Sequence, residues 1–285
     1  MSKLRIMSQN QWNCTNNRPE WAAQGLDCSS AERMKGHARV FKELMPDIVG
    51  GQEVNKDMQL DFQLSAWELD LHYTLIWGIM TPVFYRADKL ELLASEYLQY
   101  PYHLEGMEGF FNDGSKAANL CVFRCKEDGA TFIFVNTHLW WMTDGDPNHK
   151  FYFPGSDKAR MWQIGAAMDL IDKYQGIYGR CPVFFVGDMN TTYHAEPVQY
   201  AIRERGYSHA HDIAVEFADP EDGYNGCNVD YAGPGVWAHG PFENAIDHIL
   251  VRDIPEGAVK RFCRYTPDYY LALSDHAPLY VDVEL

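Results

Sequence analysis

Asp188 and Asn190 are residue types that could do chemistry, and both directly follow a strongly apolar segment. Residues 183–186 are aromatic or β-branched, which predicts a buried strand that runs into Gly187. Ligands of α/β proteins commonly lie at the carboxyl ends of strands, so this strand would deliver a carboxylate and an amide to a cleft. Residues two apart on an extended backbone point the same way, and this pair could hold a hard cation or orient a water or a phosphate oxygen.

Similar polar residues stand at the ends or flanks of other predicted strands: Asn10, Glu53, His138, Asp247 and the pair Asp275 and His276. Each has a plain structural explanation when taken alone. Asn10 could form a turn, Glu53 could begin a helix and His138 could be a hydrogen-bonded core residue. As a set they are rich in oxygen ligands and lack thiolates, which suits Mg²⁺ or Mn²⁺ better than Zn²⁺.

The elements that must position these residues alternate between strands and helices. The pattern predicts strands at residues 4–8, 47–53, 83–86, 90–98, 120–125, 130–138, 183–186, 245–251 and 278–285. It predicts helices from a capping box at 29–32 to residue 45, over 156–174 and over 197–205. Residues 11–28, 139–155 and 223–241 are predicted to be loops.

The composition limits the choice of partners. The chain has 285 residues, a formal net charge of −16 and 14% aromatic residues. A long nucleic acid is disfavoured as a partner, because neutralising its backbone needs clustered Lys and Arg. A small phosphorylated substrate remains possible, because a bound metal ion can supply the local positive charge. No apolar run reaches the length of about eighteen residues that predicts a membrane span.

The first residues contain no charged segment followed by an apolar signal core, which predicts a cytoplasmic protein. A secreted protein with its signal already removed would look the same. The seven cysteines contain no C-x-x-C pair, which favours a reduced protein with buried thiols. Pairing or metal binding by Cys14 and Cys28 is the alternative.

These residues occur in blocks that resemble the endonuclease/exonuclease/phosphatase superfamily, the DNase I-like metal-dependent phosphoesterases. The blocks lie in family order: Ser8-Gln9-Asn10, Asp47-Ile48-Val49-Gly50-Gly51-Gln52-Glu53, Asn136-Thr137-His138-Leu139, Gly187-Asp188-Met189-Asn190, and Ile246-Asp247-His248-Ile249 with Ser274-Asp275-His276. The resemblance implies an α/β (α+β) fold: a four-layered αββα sandwich in which two mixed β-sheets pack face to face with helices outside. It also implies that residues 1–285 form one domain.

The resemblance implies a hydrolase of phosphoric esters that depends on Mg²⁺ or Mn²⁺. Glu53 would be the main metal ligand, and Asn10 and Asp275 would complete the oxygen-rich shell, partly through waters. Members of the superfamily differ over one metal ion or two and over which residue is the base, so both questions stay open.

The resemblance also implies the roles of the catalytic residues. Asp188 would orient or deprotonate the attacking water, and Asn190 would hold a phosphate oxygen. His276 would face the phosphate, with its ring oriented by Asp247, and His138 would be a second donor to the phosphate.

The loops would decide the substrate. Trp140 and Trp141 begin an aromatic segment that could form a lid or a rim, or could pack onto the next helix; Tyr224 and Asn225 lie in a second candidate recognition loop. The strand at 83–86 lacks the acidic residue that DNase-type nucleases pair with a histidine, which weakens an assignment to DNA cleavage. We therefore expect a small-molecule or lipid-like phosphoester as the substrate. The alternatives are a nuclease for single strands or nucleotide ends and, disfavoured by the full catalytic set, a non-catalytic binding module.

Overall fold

The computed structural model describes residues 1–16, 19–217, 228–233, 236–240 and 242–285. Its strands are β1 (Lys3–Asn10), β2 (Ile48–Gln52), β3 (Tyr73–Ile76), β4 (Val83–Arg86), β5 (Leu90–Gln99), β6 (Ala117–Cys125), β7 (Thr131–His138), β8 (Val183–Asp188), β9 (Ser208–His209), β10 (Glu216–Phe217), β11 (Asn228–Gly233), β12 (Val236–Gly240), β13 (Asp247–Arg252), β14 (Val259–Arg264) and β15 (Leu279–Glu284). Its α-helices are α1 (Pro19–Ala23), α2 (Ser30–Leu44), α3 (Lys56–Glu68), α4 (Ser156–Tyr178), α5 (Glu196–Arg203) and α6 (Ala210–Ile213), with 3₁₀ turns at Phe242–Asn244 and Asp268–Ala272. Within these ranges, no helix combines the length and the apolar character that crossing a bilayer requires.

Thirteen of the described strands form two large mixed sheets, and β11 and β12 form a separate pair. The seven-stranded sheet has the order β10-β14-β15-β1-β2-β4-β3, and the six-stranded sheet has the order β5-β6-β7-β8-β13-β9. β1 pairs in parallel with β2 and antiparallel with β15, while β8 pairs in parallel with β7 and antiparallel with β13. Ser2 and Leu285 exchange backbone hydrogen bonds of 3.1 and 3.0 Å beside the β1–β15 pair. These two sheets confirm the prediction of two mixed β-sheets.

The two sheets pack face to face because alternate residues of the central strands are apolar on both sides. Ile6 and Phe184 lie in the core between the sheets, while Met7 lies under α2 and α3 and Phe185 lies under α4 and α5. Each such fully buried side chain contributes about 1.5–3 kcal/mol relative to exposure. The layers are therefore helix, sheet, sheet and helix, as predicted.

A buried amide joins the two sheets near the predicted site. The Asn136 side chain occupies the space that a side chain on Gly50 would need, since a Cβ there would lie 2.7 Å from it. Asn136 Nδ2 donates to the carbonyls of Gly51 (2.8 Å) and Pro82 (2.9 Å), and its Oδ1 accepts from Gln52 Nε2 at 2.6 Å. β2 and β7, which lead to Glu53 and His138, are thus held at a fixed separation.

The predicted helix after Ser29 is confirmed, with the Ser29 side chain accepting from the Glu32 backbone N–H at 3.4 Å. The prediction of a loop over 11–28 is partly wrong, because α1 lies within it. The other elements that were not predicted are helices α3 and α6 and strands β3, β9, β10 and β14. Helix α3 buries Phe62 but leaves Leu64 and Trp67 exposed, so its apolar residues do not mark one face. The prediction of a loop over 223–241 is partly wrong, because β11 and β12 pair antiparallel within it.

Candidate active site

The predicted site residues meet at one edge of the sandwich because parallel neighbours end on the same side. β1 and β2 bring Asn10 and Glu53 to this edge from one sheet. β7 and β8 bring His138 and Asp188 to it from the other, where the two residues are paired in register. Asp247 opens β13 directly opposite Asp188.

The carboxylate of Asp188 lies at the centre of this group and is only 1% exposed. Its Oδ2 accepts from Asn10 Nδ2 at 2.8 Å and lies 3.3 Å from His138 Nε2 and 3.9 Å from His276 Nε2. Its Oδ1 accepts from the Asn190 backbone N–H at 2.9 Å. Oδ2 therefore lies close to groups from three other segments of the chain.

The segment before β15 carries His276 into this group. His276 Nδ1 lies 2.8 Å from Asp247 Oδ2, which fixes the orientation of the ring. The Ser274 hydroxyl donates to the Asn10 carbonyl at 2.7 Å and accepts from the His276 backbone N–H at 3.1 Å. Asp247 is in turn held by Arg264 Nη2, which donates to its carbonyl at 3.1 Å.

Glu53 leaves β2 with a left-handed backbone, at φ 60°. Its Oε2 accepts from the Asn13 backbone N–H at 3.0 Å and from Asn16 Nδ2 at 3.3 Å, and its Oε1 lies 3.4 Å from Asn10 Nδ2. Trp12, at φ 51°, shares this sparsely populated conformation. Such strain persists where the surrounding contacts impose it, which is common at functional sites.

Two overlapping groups of side chains could hold a metal ion. Ligand atoms of Glu53, His138 and Asp188 lie within 4.8 Å of one another, and so do those of Asp188, Asp247 and His276. The carboxylates of both groups fit a hard divalent cation. Asn10 turns its Nδ2 towards them, while its Oδ1 accepts from the Trp12 backbone N–H at 2.9 Å.

Asp275 reaches the same edge but is not part of either metal-ligand group among the described residues. Its Oδ1 lies 4.0 Å from His276 Nε2. The predicted ligands Asn10 and Glu53 are thus adjacent to each other, while Asp275 approaches from the histidine side.

The electrostatic contacts favour charged forms of three site residues. Burial would raise the pKa of Asp188, but the charges of His276 and His138 outweigh it and hold this pKa well below its usual range. Burial opposes charge on His276 too, yet Asp247 and Asp188 raise its pKa well above the usual value. For Glu53, burial is outweighed by His138 and Lys116, and the pKa is lowered.

Lys116 belongs to the site although the sequence analysis missed it. Its side chain is 5% exposed, and its Nζ lies 2.5 Å from His138 Nε2 and 3.2 Å from His138 Nδ1. Burial lowers the pKa of Lys116, while Glu53 and Asp188 act in the opposite direction. Lys116 precedes β6, whose first residue pairs with His138, so only the antiparallel pairing brings it to the site.

Asn190 is oriented differently from the prediction. β8 ends at Asp188, and Asn190 has φ 50°, so the premise of an extended backbone across both residues is wrong. Asn190 Nδ2 donates to the Leu139 carbonyl at 3.0 Å. Its amide thus ties the turn after β8 to the loop after β7.

The two tryptophans of that loop have different environments. Trp140 is 4% exposed and packs against Phe110, with ring centroids 4.5 Å apart, so its ring belongs to the packing of the loop. Trp141 is 43% exposed and contacts the half-exposed Phe151 edge-on at 4.9 Å. Trp141 is therefore the one of the pair that offers a face to solvent. The other predicted contacts, Tyr224 and Asn225, lie outside the described residues.

Arg160 of α4 holds the aromatic loop in position. Its Nη1 donates to the carbonyls of Trp140 (3.1 Å) and Met142, and its Nη2 lies 2.6 Å from Asp157 Oδ1. Asp157 Oδ1 also accepts from the Thr191 hydroxyl at 3.3 Å. The loop after β7 and the turn after β8 thus share one anchor.

No protein-family model and no curated protein matches the chain. Solved structures do. An endonuclease/exonuclease/phosphatase family protein from Bacteroides thetaiotaomicron is similar with a TM-score of 0.74 and 18% identity, covering 99% of this chain and 95% of that one. An endonuclease/exonuclease/phosphatase from Bacteroides vulgatus is similar with a TM-score of 0.72 and 24% identity, and the match covers 100% of both chains. A mannosyl-6-phosphatase from Bacteroides thetaiotaomicron is similar with a TM-score of 0.71 and 19% identity, and the match covers 99% of this chain and 100% of that one.

Likeness at these identities concerns the fold, and it extends over nearly the whole length of each chain. It agrees with the two mixed sheets and their outer helices. The chain therefore has the fold of the endonuclease/exonuclease/phosphatase superfamily, the DNase I-like fold.

Proposed function

We propose that this protein is a Mg²⁺- or Mn²⁺-dependent hydrolase of phosphoric esters that uses an activated water. The observation that carries the proposal is the environment of Asp188 Oδ2, which lies within 4 Å of Asn10, His138 and His276 at one edge of the sandwich. A buried carboxylate surrounded by an amide and two histidines would be a costly way to stabilise a fold, since a buried charge must be paired. It is well suited to orient a water beside a phosphate.

Glu53 would hold the cation, with Asn10 beside it and Asp275 on the other side of the site. The cation would supply positive charge for the phosphoryl group and lower the pKa of a bound water. We propose that Asn190 also donates a hydrogen bond to a phosphate oxygen, although its Nδ2 already donates to the Leu139 carbonyl.

Asp188 would accept a hydrogen bond from the attacking water and aim it at phosphorus. His276, kept in one orientation by Asp247, would donate to a phosphate oxygen. His138 and Lys116 would donate from the opposite side, where Lys116 lies against the His138 ring. The positive charge of His276 would attract the negative charge that builds up on the phosphate oxygens.

The substrate is proposed to be a small-molecule or lipid-like phosphoester, bound by a protein whose residues 1–285 act as one domain. The exposed rings of Trp141 and Phe151 offer an apolar surface in the loop that follows His138. The net charge of −16 disfavours a long nucleic acid. The name of one structural neighbour, a mannosyl-6-phosphatase, supports a small phosphorylated substrate.

A substrate panel tests the proposal. It contains sugar phosphates, other phosphomonoesters and diesters, phosphoinositides, sphingomyelin, and single- and double-stranded DNA, each assayed with Mg²⁺, Mn²⁺ or EDTA. We expect turnover of a small or lipid-like ester that EDTA abolishes and that the isosteric Asp188→Asn variant lacks. Turnover that survives both EDTA and Asp188→Asn would contradict the mechanism. A preference for duplex DNA would overturn the substrate class.

A further inference from the structure

Arg33 is a buried cation behind the candidate active site. Among the described residues, its hydrogen bonds all go to backbone carbonyls and its guanidinium lies over a ring. It lies in α2 and is 1% exposed. Its Nε donates to the Leu273 carbonyl at 2.9 Å, and its Nη2 donates to the carbonyls of Gln11 and Trp12. Its guanidinium also lies over the Trp12 ring, 4.9 Å from the centroid. One side chain thus joins the segment after β1 to the segment before β15.

Both of these segments position groups of the candidate metal site. In the first, the Asn10 amide binds Asp188 and the Asn13 backbone N–H binds Glu53, so the two carbonyls that Arg33 holds lie between them. In the second, Leu273 is followed by Ser274, Asp275 and His276. Arg33 therefore sets the distance between the two sides of the proposed cation site.

The electrostatics of Arg33 argue against a purely stabilising role. Among the described residues, no carboxylate lies within ion-pairing distance of the guanidinium, and its Nη1 has no hydrogen-bond partner. Burial accordingly lowers the pKa of Arg33, with Asp275 among the groups that act in the opposite direction. A buried cation without a paired anion costs folding free energy that an apolar side chain of similar size would not.

We infer that Arg33 is a positioning residue for the divalent cation: by holding the carbonyls of Gln11, Trp12 and Leu273 it fixes Glu53 relative to Asp275. This inference rests on the proposed metal-dependent function. It requires the planar fork of a guanidinium, because one group must reach both segments in fixed directions. A lysine ammonium can bond one segment but not hold both in the same geometry. Residues that orient metal ligands typically change metal affinity by about 10- to 100-fold when replaced.

The test measures Mn²⁺ binding by calorimetry, without substrate, on wild type, Arg33→Lys and Arg39→Lys. Arg39 is the matched control, because it lies in the same helix but is exposed, pairs with Glu43 at 2.8 Å and stacks on Tyr269. We expect Arg33→Lys to weaken Mn²⁺ binding at least about tenfold, and Arg39→Lys to leave it within twofold. Unchanged affinity in folded Arg33→Lys would overturn the role of Arg33, whereas no Mn²⁺ binding by wild type would overturn the proposed function itself.

A second measurement on the wild-type protein covers the case in which Arg33→Lys does not fold. The Nε–H resonance of Arg33 should shift when Mg²⁺ is added, because the carbonyl that it binds lies two residues before Asp275. The Nε–H of Arg39 should not shift. Saturation with Mg²⁺ that leaves the Arg33 resonance unmoved would overturn the inference.

Discussion

At the scale of single residues, the site depends on buried charges that other site residues pair. Asp188 is held by Asn10 and the Asn190 backbone, and it lies among two histidines. Lys116 differs, because its ammonium contacts only the His138 ring among the described residues. Burying such a cation costs folding free energy, so replacing Lys116 should change the activity much more than the stability.

We predict that Lys116→Met lowers kcat by about 10²-fold, as removal of one preorganised donor to a developing oxyanion does. Its melting temperature should change little, because the apolar chain needs no hydration but Glu53 loses a nearby positive charge. Steady-state kinetics and thermal melting check both parts. Lys126→Met is the control, since this exposed lysine binds the Ala87 carbonyl at the far end of β6. A Lys116→Met enzyme of normal kcat would contradict the prediction.

At the scale of elements, the site depends on how closely β7 and β8 approach each other. Gly187 has φ 149°, and a Cβ on it would lie 1.9 Å from the Thr137 carbonyl oxygen. That oxygen belongs to the paired backbone and cannot move aside, because Thr137 and Gly187 are in register. Only glycine lets Asp188 and His138 end side by side.

We predict that Gly187→Ala destabilises the protein by at least about 2 kcal/mol, the cost of forcing atoms into a packed interior. It should also remove activity, because Asp188 is the next residue. Urea unfolding measures the first effect. Gly176→Ala in α4 is the matched control, since its Cβ would meet nothing within 4 Å. The free energy of unfolding of Gly176→Ala should rise by roughly 0.5–1 kcal/mol, because alanine has a higher helix propensity than glycine. Equal stabilities of the two variants would refute the packing argument.

The aromatic loop after β7 is the element that we expect to bind the substrate. Trp141→Ala should raise KM for the best substrate about tenfold and leave kcat within twofold, because the ring binds without touching the reacting atoms. Trp67→Ala is the control. Trp67 is 76% exposed near the end of α3 and about 18 Å along the helix from Asn55, which contacts Asn13 of the site. An unchanged KM for Trp141→Ala would remove the loop from the substrate site.

The strand-end residues could be predicted from the sequence because parallel strands end at a shared edge. That rule requires only local patterns, and it gave Asn10, Glu53, His138 and Asp188. Lys116 could not be predicted, because it precedes a strand and reaches the site through antiparallel pairing with β7.

Other elements escaped prediction for different physical reasons. The turn at Asn190 depends on a left-handed backbone that its residue type permits but does not require. Helix α3 was missed because Leu64 and Trp67 are apolar yet exposed. A pattern of hydrophobicity cannot separate such residues from those that form the core.

At the scale of the whole molecule, the fold encloses histidines that must stay neutral. His248 Nε2 lies 2.8 Å from the Thr191 carbonyl, so it donates. His248 Nδ1 must then accept from His209 Nε2, which lies 3.0 Å away. Burial lowers the pKa of His248 to about 4 and that of His209 well below its usual value. Neither ring can take a proton without breaking this chain of contacts.

We predict that the protein loses stability as the pH falls from about 6.5 towards 4. The unfolded chain takes up a proton on His248 near pH 6.5, while the folded chain resists until about 4. The stabilisation is therefore complete above pH 6.5. On acidification towards pH 4 the free energy of unfolding should fall by about 3 kcal/mol through His248 alone. Urea unfolding of wild type and His248→Gln at several pH values measures it, with the exposed His72→Gln as control. Identical pH slopes for wild type and His248→Gln would contradict it.

The backbone bonds between Ser2 and Leu285 have a practical consequence for handling the protein. β1 runs from this pair to Asn10, which puts Ser2 and Leu285 about 25 Å from the candidate active site. A surface linkage placed beside Ser2 or Leu285 would leave the candidate site accessible to the proposed ester substrate. The same adjacency suits circular permutation of the segment 1–285, in which a short linker joins Leu285 to Ser2 and the chain is opened in a distant loop. Immobilised or permuted protein should therefore keep the activity that we propose.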